Sequence, residues 1–151
     1  MEPKGNEGGL LSALLSIAQA ITNLRVQPVP VWSKVTTAET TTSTAAVNLA
    51  TVGPEVSVTV GISGAVEVSL AVRVNNSGAN YSEMAVAVSG ATTRAVVGSE
   101  AISWNGTAVL RAGRTYVIDG LTPGVNVFTA KYYVSAGTGT FGDRYLTVTP
   151  I

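Results

Sequence analysis

From residue 35 onward, hydrophobic and polar positions alternate with a period of two, the signature of strands with one buried face. In "VSVTVGI" the pattern sets Val56, Val58, Val60 and Ile62 on one face, and in "VEVSLAVRV" it does the same for Val66, Val68, Leu70, Val72 and Val74. The intervening "SGA" holds the glycine of a tight hairpin, so these two strands are expected to be joined as one. Glu67, Ser69, Ala71 and Arg73 fall on the opposite face, where small residues suit either a covering neighbour or solvent. Further alternating runs occupy 84–88, 108–118 and 146–148, with a denser apolar run at 125–134. Turn signals punctuate them at "VGP" (52–54), "NNSGAN" (75–80), "NG" (105–106), "DG" (119–120), "TPG" (122–124) and "SAGTGTFGD" (135–143). With weaker strands at 46–51 and 93–104 the total is about eight. Closely spaced short strands without intervening helical pattern predict a mainly β fold, an antiparallel β-sandwich of jelly-roll-like type, over residues 35–151.

The N-terminal segment has a different period. Leu10, Leu14, Ile17, Ile21 and Leu24 recur at spacings of four, three, four and three, which predicts a short helix with a heptad seam. Leu11, Leu15 and Ala18 widen the apolar stripe beyond a bare seam. Glu7 near the start and Arg25 near the end complement the helix dipole. Pro28 and Pro30 stop the helix and favour extended backbone through Val29. The domain division that follows is a loose tail at 1–9, a helix and Pro-rich linker at 10–34 for oligomerisation or attachment, and the sandwich at 35–151.

The greasy run at 8–31 has four readings. A secretory signal requires a basic n-region, yet Lys4 is outnumbered by Glu2 and Glu7. A membrane span needs about 20 apolar residues, whereas Ser12, Ser16 and Gln19 interrupt a run that is already too short. That leaves a helix docked on its own domain or one bundled with copies of itself. A helix of this length is marginal alone and needs a partner surface. The breadth of the stripe favours self-association, although mixed Leu and Ile along the seam do not fix the number of strands.

Composition removes many chemistries. There is no cysteine or histidine, so disulfides, Cys/His zinc sites, thiolate nucleophiles and Ser-His-Asp triads are excluded. Nine Lys/Arg balance nine Asp/Glu, so no broad basic field exists for nucleic acid or an anionic membrane. The carboxylates are scattered, with Asp119 read as a turn residue and Asp143 as a surface partner of Arg144. No local pair has the look of a glycosidase site and no D-x-D-x-D spacing offers a calcium loop. Neither enzyme activity nor a cofactor or metal is expected. The sequons at Asn75, Asn80 and Asn105 sit at turn signals, where Asn serves the backbone. Arg111 and Arg114 alternate to opposite faces of their strand and form no single patch.

Trp104, Tyr116, Phe128, Tyr132 and Tyr133 lie in or beside strands, where core packing is the favoured role. The sharper alternative makes Trp104, Tyr132 and Tyr133 a surface platform for sugar rings, which requires two of them side by side. Trp32, after the Pro-rich linker, is expected to seal the junction of helix and sandwich.

From residue 36 the chain resembles a module of minor tail proteins of phages that infect actinobacteria. The resemblance rests on "ETTTSTAAVNLATVGPEVSVTV", "AVRVNNSG", "MAVAVSGATT" (84–93) and the closing "RTYVIDGLTPGVNVFTAKYYVSAGTGTFGDRYLTVTP" (114–150), and it spans about 36–151. It implies a trimer-forming, jelly-roll-like domain on the virion exterior, following a helical stem. Implied partners are sister chains, other virion structural proteins and host cell-surface glycans, with no nucleic acid and no membrane insertion. No ligand residue carries over, because the shared motifs are turns and core positions. The stem is short for a tail fibre, which keeps a capsid decoration or head-fibre piece as an alternative. A secreted carbohydrate-binding module is the other.

Overall fold

The computed structural model describes residues 7–22 and 28–151. Helix α1 spans Glu7–Thr22, so it begins ahead of the expected start and includes Gly8 and Gly9. The remaining elements are β1 (Val31–Val35), β2 (Glu39–Thr41), β3 (Glu55–Val60), β4 (Val66–Asn76), β5 (Tyr81–Gly90), β6 (Ile102–Asn105), β7 (Leu110–Ile118), β8 (Gly124–Val134) and β9 (Gly139–Pro150). A 3-10 turn at Gly98–Glu100 precedes β6.

The strands form two antiparallel sheets. One has the order β1-β9-β4-β7, with β2 also on β9; the other has the order β3-β8-β5-β6. The pairings β1 with β9, β3 with β8, β4 with β7 and β5 with β6 are nested one inside the next. That nesting is the winding of a jelly roll, as expected. The valines of β3 and β4 meet Met84, Val86, Phe128, Tyr132, Phe141 and Leu146 in one continuous core. Alternation explains it: strict period-two β-branched residues put one apolar face of each sheet inward.

Several local expectations change in three dimensions. β3 and β4 do not pair; they lie in opposite sheets, and "SGA" is the corner between them. At that corner Gly64 has φ +64°, and a Cβ there would stand 2.8 Å from the Leu121 carbonyl oxygen. Ile62, expected inside, lies on the corner and is fully exposed. Residues 46–51 form no strand, only a bridge from Val47 to Tyr132. The weak segment 93–104 reduces to β6 and a bridge between Val88 and Arg94. "SAGTGTFGD" is not all turn, because β9 starts at Gly139. Residues 31–35, assigned by pattern mostly to the linker, enter the sheet as β1. Trp32 therefore stands on an edge strand, 63% exposed, and is not buried against the described residues; the helix end of the junction it was expected to seal lies outside them.

Candidate functional site

Two features lie outside the packed core. The first is α1. Leu10, Leu11, Leu14, Leu15 and Ile17 are all exposed, between 56% and 68%. The expected seam thus faces solvent at Leu10, Leu14 and Ile17; Ile21 is in the helix with its side chain outside the described residues, and so is the whole of Leu24. These exposures do not match a helix buried on its own domain. No helix among the described residues is long and apolar enough to cross a membrane.

The second is the outer face of the five-stranded sheet. Cross-strand register lays its side chains out in rows. One row is Lys34, Tyr145, Ala71 and Gly113. The next toward the chain's N-terminal edge is Trp32, Thr147, Ser69 and Thr115, with the Ser69 and Thr115 hydroxyls 2.7 Å apart. On the other side Arg73 pairs with Arg111, and both guanidiniums converge on Asp143. Arg73 Nε donates to Asp143 Oδ2 at 3.2 Å, and Arg111 Nη2 lies 3.0 Å from the same oxygen. Between Tyr145 and this charged row, the small residues Ala71 and Gly113 leave an open trough of about 260 Å³.

A β-bulge builds that arrangement. Pairing of β4 with β9 slips between Ala71 and Arg73, and Asp143 takes φ +46°. The inserted residue keeps Asp143 on the outer face, with Gly142 covered by Arg73 and Ala38, while Phe141 and Arg144, three apart, both turn inward. Asp143 consequently does not pair with Arg144, contrary to the sequence expectation. Arg144 is completely buried, and its Nη2 donates to Glu39 Oε2 at 2.8 Å and to the Thr37 carbonyl at 3.3 Å. Its guanidinium lies 5.3 Å from the centre of the Tyr132 ring. Glu39 also accepts from the Thr51 backbone and hydroxyl, at 3.0 and 2.6 Å. Burial pushes the Glu39 pKa upward, but the Thr51 and Arg144 hydrogen bonds outweigh it and hold the carboxyl below its ordinary value. This polar core ties together residues of the "ETTTST", "LATVGP", "KYY" and "DR" motifs.

The nominated aromatics form no platform. Tyr132 is a core residue with no exposed surface; its hydroxyl donates to the Gly53 carbonyl at 2.9 Å, and its ring packs 5.0 Å from Phe141. Burial raises its pKa well above the ordinary tyrosine value. Trp104 is half-buried against the core, its Nε1 donating to the Ala108 carbonyl at 2.9 Å. Tyr133 is half-buried beside its cross-strand partner Glu83, and burial followed by that carboxylate raises its pKa. Trp104 sits opposite the buried Ser82, whereas Tyr133 sits opposite Glu83, so the two rings point to opposite faces of their sheet. Burial likewise pushes Tyr116 up to about 12. Arg114 lies over the Tyr116 ring and donates to the Ala101 carbonyl, away from Arg111 as expected.

Sequence reasoning gave Trp32 a sealing role and did not single out Tyr145; the two share the outer face and are 63% and 40% exposed. Tyr145 lies just ahead of the alternating run at 146–148, and alternation does not mark an outward residue as part of a site. Among the described residues no group of three His, Cys, Asp or Glu is placed to hold a metal ion.

No protein-family model matches the chain, and no curated protein matches it. Three solved structures are similar at low level. Pili of Bacillus endospore appendages, described as disulfide-linked, match at TM-score 0.33 and 16% identity over 83% of this chain and 91% of that one. Dimeric latent PorU from Porphyromonas gingivalis matches at TM-score 0.41 and 11% identity over 82% of this chain, which spans only 13% of PorU. The CBM22-1 xylan-binding domain of Paenibacillus barcinonensis Xyn10C matches at TM-score 0.36 and 9% identity over 80% of this chain and 86% of that domain. None is close enough to carry a functional assignment.

Proposed function

We propose that the chain is a structural protein of a tailed-phage virion, a minor tail or tail-fibre component that displays its sandwich for adhesion to the host surface. One observation supports it most. The jelly roll completes its own core, yet α1 leaves a broad Leu/Ile stripe in solvent. A stripe of that kind is costly unless covered, and "GGLLSALLSIAQAIT" carries no charge to oppose parallel self-packing. Sister helices in a trimer supply the cover, as the motif resemblance implies. Three sandwiches on one axis then turn weak contacts into lasting attachment.

The test is the solution mass of the intact chain against a version starting at Pro28, which keeps β1. The intact chain is expected to be a trimer and the shortened one a monomer with the same melting behaviour. Monomers in both forms overturn the stem. Immunogold on virions then separates tail from capsid: label on the head assigns the chain as a decoration or head-fibre protein.

A further inference from the structure

We propose that the trough on the outer face of the five-stranded sheet binds an acidic glycan, a saccharide bearing a carboxylate or phosphate. The inference rests on the adhesion reading above and names its ligand class and its site. Three observations converge on it.

The first is charge. The chain is neutral overall, yet at the end of the trough Arg73 and Arg111 share the single carboxylate of Asp143, a surplus of one positive charge, and Lys34 stands beyond Tyr145 in the same cross-strand row. Arg111 is engaged at Nη2, but its side chain is 72% exposed, so its remaining N–H groups face solvent. A guanidinium in that state is a bidentate receptor for a planar carboxylate or a phosphate. The second is the ring. Tyr145 forms one side of the trough with its ring partly open, and Trp32 lies on the same face one row along. Aromatic faces stack on the apolar faces of sugar rings, which an isolated anion does not require. The third is shape. Ala71 and Gly113 carry almost no side chain, which is what hollows the sheet surface, and about 260 Å³ is below the roughly 300–1,000 Å³ of sites that engulf a drug-sized ligand. An open hollow of that size suits one residue of a saccharide that continues along the sheet past the Ser69 and Thr115 hydroxyls.

Asp143 sets the geometry. Both ion pairs end on its Oδ2, and its backbone is in a left-handed conformation that the bulge imposes. Conformations of this kind cluster at binding sites. Here it holds the two arginines side by side at the trough's end.

The experiment is an amide-resolved NMR titration of the intact chain with trigalacturonate, glucose 6-phosphate and neutral galactotriose. Trigalacturonate or glucose 6-phosphate is expected to shift the amides of Ala71, Gly113 and Tyr145, with affinity falling as salt rises. Whichever acid binds tells carboxylate from phosphate, and both binding supports the site equally. Galactotriose should bind at least about tenfold more weakly, and Arg111→Ala should lose about tenfold for the acidic ligand. Tyr145→Phe should retain binding while Tyr145→Ala loses it. Arg111 is a surface residue, so its variant folds, and unchanged melting checks this. The proposal is overturned by shifts centred elsewhere, by equal binding of galactotriose, by silence with both acids, or by an unaffected Arg111→Ala. A trimer that ignores both acids sinks only this site, and a monomer that binds one sinks only the stem.

Discussion

At the scale of single residues, the buried Arg144 is the most constrained group in the molecule. A guanidinium without solvent is tolerable only because Glu39, the Thr37 and Gly53 carbonyls and the Tyr132 ring surround it. Its Nε has no partner among the described residues, so little slack remains. Removing the counter-charge with Glu39→Ala should destabilise the fold toward the lower end of about 3–5 kcal/mol, because Glu39 itself keeps 13% exposure. Urea denaturation measures it. The same pair predicts a pH dependence. Glu39 titrates lower in the folded chain than its ordinary 4.5, so its contribution is whole above that pH and drains away as pH falls through the lowered value. Denaturation midpoints of the parent and Glu39→Gln should therefore differ at pH 7 and converge in acid.

At the scale of elements, the bulge in β9 and the stripe on α1 matter most. The bulge decides which way Phe141, Asp143, Arg144 and Tyr145 point, and so creates the polar core on one side and the trough on the other. The helix is independent of both. Leu14→Asp or Ile17→Asp places a charge in the proposed helical seam, where burial without a partner is prohibitive. Light scattering should show dissociation to monomer for either variant. Circular dichroism should show the sandwich intact, since neither residue contributes to its core.

At the scale of the whole molecule, the nested winding leaves the two sheets with unlike outer faces. The face built from β1, β9, β4 and β7 carries the trough and the exposed Tyr145 and Trp32. Three copies joined through α1, as proposed above, would present three such faces. Binding to a surface coated with polygalacturonate should then be about 100-fold or more tighter for the intact chain than for the version starting at Pro28, if the linkers let two sites engage together. Biosensor dissociation rates report it. A ratio near one would leave the stem without a role in adhesion.

Much of the architecture could be read along the chain because period-two alternation is a local property: each valine of β3 and β4 needs only its neighbours to define a face. The heptad stripe of α1 is local for the same reason, as is the Asp119-Gly120 turn, where Gly120 takes φ +68°. Pairing is not local. "SGA" reads as a hairpin, yet the chain crosses to the other sheet there, because which strands meet depends on closing one core from segments far apart. The candidate site was lost in the same way. One inserted residue at Asp143 inverts the parity of everything before it relative to Tyr145, and alternation carries no record of that slip. Arg73, Arg111 and Asp143 come from three strands, and only the sheet's register brings their charges to one place.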